Sequence, residues 1–343
     1  MTTTKRLLHD VLSSRCVSPM WVPLSRERVS IFTLHRFTTP DGEVRGHDPS
    51  LLRRTLERLR RERYTILSLE EAVRRLRERS GFPRCSLAFT VDDGYSDFAE
   101  VAAPIFAAFD APVTVFVTTG FLDGTHWQWW DQIEYVVTHS TARTLSLDFA
   151  GRPLSVQLGD RPARSRVAAQ VARDCTAISD ADRREFMRAL SAAAGVDIPA
   201  RAPARFAPMS WDMCRRLEAQ GVSFGPHTVS HPVLIRTSSA DAGWQIDESW
   251  KQLRQRVAHP LPLLAYPNGD YTSRERDLAA RAGLSGALTT EPSYATADGF
   301  HAAHGNFGIP RFGYPEHPAK VCLTAAGFMR VSAAVRRAFA AVR

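Results

Sequence analysis

The sequence predicts an α/β protein on a parallel sheet. Strand-like apolar runs alternate with helical patterns along the chain, and cap, proline and glycine signals mark the helix ends. The runs are VSIFTLH (29–35), CSLAFTV (85–91), PVTVFVTT (112–119), GVSFGPH (221–227), LPLLAYP (261–267) and SGALTT (285–290). Between them, Asp48-Pro49 supplies a cap and a first-turn proline, and Ser68 with Glu71 has capping-box spacing. A further helix, SDFAEVAAPIFAAF (96–109), follows the second run, and SWDMCRRLEAQG (210–221) ends on a glycine stop.

One segment breaks this rhythm. From about 125 to 206 the chain reads THWQWWDQIEYVV and then a polar, Arg- and Ala-rich helical stretch, an insertion leaving a loop of the scaffold. Trp127, Trp129 and Trp130 are expected to pack it back on the body, and insertions at the active face of such folds commonly shape substrate access. The expected organisation is an N-terminal helical extension (1–28), one domain (29–320) carrying the insertion, and a C-terminal helix (321–343).

The 343 residues carry 44 Lys plus Arg against 36 Asp plus Glu, a net charge of +8 borne almost wholly by arginine. The basic residues fall on amphipathic helices such as LLRRTLERLRRERY (51–64), which read as solvated faces, and no aromatic-and-basic motif supports nucleic-acid binding. Cys16, Cys85, Cys175, Cys214 and Cys322 have no CxxC spacing, which points to a reducing compartment. Without a secretory or membrane-spanning apolar run, the expected location is cytoplasmic, with the basic first helix able to touch the inner membrane.

Two segments carry candidate chemistry. In FTVDDGYSDF (89–98) Asp92 and Asp93 close an apolar strand. Neighbours on a strand point apart, but a glycine directly after them permits a sharp turn that lets both carboxylates project from the strand's C-terminal end, where parallel α/β folds place their sites. Adjacent buried carboxylates need a cation or a shared proton; on this segment alone a simple turn with a helix cap reads equally well. GPHTVSHPVL (225–234) also ends a strand, and His227 and His231, four apart, would share one side of a helical turn in zinc-type spacing. Asp93, His227 and His231 together make a two-His, one-carboxylate set with open positions.

These stretches resemble the polysaccharide deacetylases, carbohydrate esterase family four. FTVDDGYSD is similar to the first motif T-F-D-D-G, with Val91 for the usual Phe; HTVSHPVL fits H-[ST]-x-x-H-P-x-L; and LLAYPNGDY (263–271) resembles the F-x-Y-P-x-G variant of the exopolysaccharide-type branch. The resemblance implies an irregular (β/α)7-type barrel and a hydrolase that removes N-acetyl groups from N-acetylhexosamine units in exopolysaccharide or cell-surface glycan synthesis. It implies Asp92 as catalytic base and Asp93, His227 and His231 as ligands of a divalent metal, most often zinc. The backbone N–H of Tyr95 would serve the oxyanion. The substrate would be an N-acetylated oligosaccharide, polysaccharide or lipid-linked glycan. A catalytically silent carbohydrate-binding protein of the same fold is the alternative, against which the intact Asp-Asp-Gly and both histidines argue.

The chain also departs from the commoner pattern. The third-motif arginine is missing from LLAYPNGDY, and the C-terminal tail has no histidine to supply the acid. SIFTLHRFT (30–38) looks like the Y-H-x-V segment of a circularly permuted branch in which the acid-bearing strand comes first, so His35 is the expected acid. Arg36 and Arg311 are the two candidate replacements for the arginine, with Arg311 in GIPRFGYP (308–315) preferred. Tyr266, Pro267, Asn268 and Trp211 are expected on the groove walls, and His301 and His304 in a surface loop.

Overall fold

The computed structural model describes residues 25–329. The expected N-terminal helix with its membrane contact, Cys16, and the chain from 330 on lie outside the described residues; of the expected C-terminal helix, Pro318–Ala325 is helical.

The six expected runs form strands. They are β1 (Arg28–Leu34), β3 (Ser86–Val91), β4 (Val113–Val117), β7 (Ser223–Pro226), β8 (Leu263–Ala265) and β9 (Gly286–Leu288), with short β2 (Thr65–Ile66), β10 (Ala295–Thr296) and β11 (Phe312–Gly313) besides. β1 pairs β3, β3 pairs β4 and β4 pairs β7, all parallel, and β8 pairs β9 in parallel. The segment leading into β11 closes the other side: Ile309 bridges Leu288 of β9, and β11 then runs parallel to β1. Between β7 and β8 no ladder forms among the described residues; the Leu261 N–H donates to the Phe224 carbonyl at 2.7 Å instead.

Alternation along the strands explains two apolar layers. Ile31, Ala88, Phe116, Ala265, Leu288 and Ile309 share an inner cluster with one helix face, while Phe32, Phe89, Val115, Phe224 and Leu264 face outward to the others. The helices begin where the sequence says they should. Asp48 accepts the Ser50 N–H to start α1 (Pro49–Arg61), whose Leu52, Leu56 and Leu59 are buried. Ser68 caps α2 (Leu69–Glu78), but only half of the capping box forms, because the Glu71 carboxylate turns to Arg74 and Arg75. The helix after β3 starts as a π-helix (Phe98–Ala102) and tightens into α3 (Ala103–Ala108), where Pro104 supplies no N–H for a regular ladder.

α4 (Thr119–Leu122) leads into the insertion, which is more than helical. It holds α5 (Trp129–His139), α6 (Arg161–Cys175), α7 (Asp180–Ala194) and an antiparallel hairpin of β5 (Thr144–Phe149) and β6 (Arg152–Gln157). The hairpin turns through Ala150 and Gly151, both with positive φ as such tight turns require. Ile133, Val136, Leu145, Phe186 and Leu190 give the insertion a core of its own. The expected anchors hold it to the body: Trp127 packs with Tyr95, Phe121 and Phe206, and Trp129 donates to the His231 carbonyl at 3.3 Å. The chain returns through α8 (Trp211–Glu218), and α9 (Ser239–Arg256) and α10 (Ser273–Arg281) flank β8. Among the described residues no helix is long and apolar enough to cross a membrane.

β7 is tightly packed at Gly225, where a Cβ would lie 2.6 Å from Phe116 Cε1 and 2.8 Å from the Leu263 carbonyl oxygen. Gly225→Ala is therefore expected to lose about 1–3 kcal/mol by overpacking, read as a lower urea midpoint. An unchanged midpoint would show that β7 and β8 have room to part.

Candidate active site

Sheet register brings the chemistry to one end. Leu34 pairs with Val91, so His35 and Asp92 leave neighbouring strands side by side, and the Asp92 N–H donates to the Leu34 carbonyl at 2.9 Å. Val117 likewise pairs with Pro226 and accepts the His227 N–H at 2.9 Å.

The backbone turn falls one residue earlier than glycine alone would place it. Asp93 has φ 77° and Gly94 φ 93°, so Asp93 leaves the strand's alternation and its carboxylate reaches the histidines. A side chain at Gly94 would be strained by its φ of 93°, and its Cβ would press on Leu122 Cδ1 at 2.9 Å. His227 and His231 do not share a helical turn: the segment after β7 is an irregular loop with Thr228 and His231 in left-handed backbone. Gln245 holds it, its Oε1 accepting the Val229 and Ser230 N–H groups at 3.0 Å each.

The ligand atoms of Asp93, His227 and His231 all lie within 4.8 Å of one another, and all three residues are buried. Asp93 Oδ1 is 3.6 Å from His227 Nε2 and 3.5 Å from His231 Nε2. Three features fit this set to a divalent cation. Asp93 Oδ1 is buried with no hydrogen-bond partner. His227 Nδ1 lies 2.7 Å from the Ala265 carbonyl, which fixes the proton there and leaves Nε2 as a free donor atom toward Asp93. Burial draws His227 to about 4 against the Asp92 charge, and burial followed by the His227 charge draws His231 well below its usual 6.5, so both rings are neutral as ligation requires.

Asp92 has a different environment. Arg311, fully buried, donates from both terminal nitrogens to its two oxygens at 2.7 Å each, and also reaches Thr90 Oγ1 and the Thr289 carbonyl. Burial would raise Asp92, but the Arg311 charge, then His227, hold it well below the usual carboxylate range. Asp93 is pushed the opposite way, by burial and then by the charges of Asp92 and Asp131. Of the two arginines considered, only Arg311 reaches Asp92; Arg36 pairs with Asp97 at 2.9 Å and lies over the Tyr95 ring at 4.0 Å.

His35 keeps an exposed edge while protein crowds its ring; burial lowers its pKa from 6.5, the Asp92 charge raises it, and Arg311 lowers it further. At Tyr95, bridge bonds to residues 207–209 are made by its neighbours Gly94 and Ser96, so its own N–H points away from that bridge. The expected groove walls need correction. Tyr266 is fully buried and its hydroxyl donates to the Phe307 carbonyl; Pro267 is buried, and Trp211 donates to Asp123 from the outer core. Strand alternation turns Tyr266 outward, leaving Asn268 exposed. His301 and His304 are exposed, as expected.

The sequence reading missed Asp131 and took Trp130 only as an anchor of the insertion. The Trp130 ring meets His231 edge-on at 4.6 Å, and Asp131 Oδ2 accepts the Tyr95 hydroxyl at 2.5 Å. Burial raises Asp131 to about 7 against the opposing Arg36 charge. The available signal was a carboxylate directly after two tryptophans in WQWWDQ.

A parallel α/β scaffold with a buried His/His/carboxylate cluster at the strands' C-terminal end is thus the class that fold and site define. The chain belongs to the polysaccharide deacetylase family, whose model matches residues 80–287. Comparison with curated proteins gives no match. Among solved structures it is similar to the Streptococcus pyogenes deacetylase PplD in complex with acetate, at 20% identity over 88% of this chain and 99% of that one, with a TM-score of 0.54. IcaB from Ammonifex degensii is 14% identical over 88% and 97% of the two chains, TM-score 0.53. The BpsB deacetylase domain from Bordetella bronchiseptica is 14% identical over 83% and 95%, TM-score 0.50. At these identities the likenesses speak for the fold.

Two outcomes follow from the electrostatics. Arg311→Met leaves Asp92 buried and unpaired, and should cost about 3–5 kcal/mol in urea unfolding. His47, packed edge-on against Tyr314 at 5.3 Å, is drawn from 6.5 to about 4 by burial and then by His35. The unfolded chain therefore binds more protons between these values, and the stability from neutral His47 is full above pH 6.5 and lost as pH falls toward 4. The non-titrating His47→Gln should gain on the wild type as pH drops through that window. A constant gap between their urea midpoints would contradict the assignment.

Proposed function

We propose that the protein is a divalent-metal-dependent N-deacetylase of glycans containing N-acetylhexosamine. The observation that carries this is the contrast within one dipeptide: Asp92 is locked and ionised by Arg311, while Asp93 faces two neutral imidazoles with an unpartnered oxygen. Asp93, His227 and His231 would hold the cation, and a two-nitrogen, one-oxygen donor set suits zinc. When bound, it supplies Lewis acidity, acidifying water and polarising the acetyl carbonyl.

The remaining work falls to side chains and one amide. Asp92 receives the proton of the attacking water, and Arg311 keeps it charged and oriented. As the water oxygen bonds to the acetyl carbon, the carbonyl oxygen takes up charge that the Tyr95 N–H would bind. The C–N bond then breaks, and His35 gives its proton to the departing amine, leaving acetate and a free hexosamine. His35 stands beside Asp92 by strand register, which favours the acid-first, permuted arrangement. Arg311 takes the place of the third-motif arginine. An exopolysaccharide or a lipid-linked precursor is the substrate class closest to the family resemblance.

Chelation should abolish acetate release from an N-acetylglucosamine oligomer, and zinc should restore it. Asp92→Asn should keep the metal and lose roughly 10²–10⁴-fold in kcat, whereas Asp93→Ala should lose the metal itself. Undiminished acetate release by metal-free protein would reject the reading. For the acid, His35→Ala should hurt amide hydrolysis far more than hydrolysis of an aryl acetate, whose leaving group needs no proton. Equal losses on both substrates would remove His35 from the role.

A further inference from the structure

Tyr95 is held from three directions. Its hydroxyl donates to Asp131 Oδ2 at 2.5 Å and accepts the Trp130 indole N–H at 3.2 Å, both from the insertion. The Arg36 guanidinium covers its ring at 4.0 Å, and Phe121 meets the ring edge-on at 5.1 Å. Arg36 is itself fixed by Asp97 and by the carbonyl of Arg205, near the insertion's far end. Packing alone would be met by phenylalanine. Instead a carboxylate is taken out of water to grip this one hydroxyl, with Tyr95 and Asp131 both nearly inaccessible.

The position of the grip gives it a purpose. Gly94, next in chain to Tyr95, has the positive φ that this turn needs; bonds from Gly94 and Ser96 to residues 207–209 tie down one side of the turn, and the Tyr95 N–H lies on the side they leave untied. We propose that Asp131 is a positioning residue for the deacetylation: by clamping the Tyr95 hydroxyl it stiffens residues 94–95 and aims the oxyanion-binding N–H, so the insertion forms part of the catalytic apparatus. This rests on the deacetylase reading above. It assigns the insertion a role in turnover in addition to substrate access.

The test compares Asp131→Asn, which keeps an acceptor and the volume, with Asp131→Ala and Tyr95→Phe. For each, kcat and KM on an N-acetylglucosamine oligomer, zinc stoichiometry, and amide hydrogen exchange of the metal-free protein are measured. Losing the aim of one oxyanion donor should lower kcat about 10- to 100-fold in Asp131→Ala, with KM and zinc content unchanged. Exchange should quicken within residues 92–98. Asp131→Asn should recover part of the loss, and Asp131→Ala combined with Tyr95→Phe should be no worse than either alone. Wild-type kcat in the variants overturns the proposal, as does faster exchange confined to residues 129–139, the mark of a plain anchor. If the wild type itself releases no acetate, the deacetylase reading fails on its own, and the 92–98 exchange still tells whether Asp131 stiffens Tyr95.

Discussion

The bidentate pair between Arg311 and Asp92 organises the site. Both partners are taken out of water, a loss that a single contact would not offset. Here the guanidinium makes four hydrogen bonds, two to Asp92, one to Thr90 and one to the Thr289 carbonyl. It thereby ties the segment entering β11 to the ends of β3 and β9. The joining of β9 to β1 and the ionisation of Asp92 go together, because the cation that neutralises the carboxylate is delivered by the segment that bridges these two strands. The constraint then spreads. With Asp92 charged, a second charge on Asp93 is penalised, and the affinity of that position for a cation rises accordingly.

What the sequence made legible was local. Each strand is a short apolar run, and each site residue of the motifs lies at or just past the end of one, so strand position and candidate chemistry could be read together. The identity of the arginine was narrowed to two, and their partners decide between them: Arg36 turns to Asp97, Arg311 inward to Asp92. Details set by backbone conformation were less legible. His227 and His231 meet through a loop with two left-handed residues pinned by Gln245, an arrangement with no periodic signature. Tyr266 sits in a motif, yet strand parity turns it outward. Asp131 carried only the local signal of a carboxylate after two tryptophans; its partner, Tyr95, is thirty-six positions earlier, and the pairing exists only once the insertion has docked.

The insertion shows how a fold can be extended without loosening its site. Ile133, Leu145 and Phe186 give it a cluster of its own, separate from those of the scaffold. Its contacts with the scaffold concentrate near the chemistry: Trp129 on the His231 carbonyl, Trp130 on the His231 ring, Asp131 on Tyr95. A segment attached only through mobile loops would add entropy at the face of Asp93, His227 and His231. Three consecutive side chains on the first turn of α5 remove it.

The same logic bears on His35, the proposed acid, which comes from the start of the domain while the other groups of the site follow later in the chain. A parallel sheet is indifferent to chain order so long as each strand end arrives at the right height. What it does not tolerate is a change of register, since a slip of one residue turns every side chain to the opposite face. In β1 the pairing of Phe32 with Phe89 and Leu34 with Val91 fixes that height, and the Asp92 N–H bond to Leu34 locks the final step. Connectivity can thus be rearranged while His35 and Asp92 stay adjacent. A one-residue deletion in β1 would keep the connectivity and separate them, which makes register, more than chain order, the property on which the proposed acid depends.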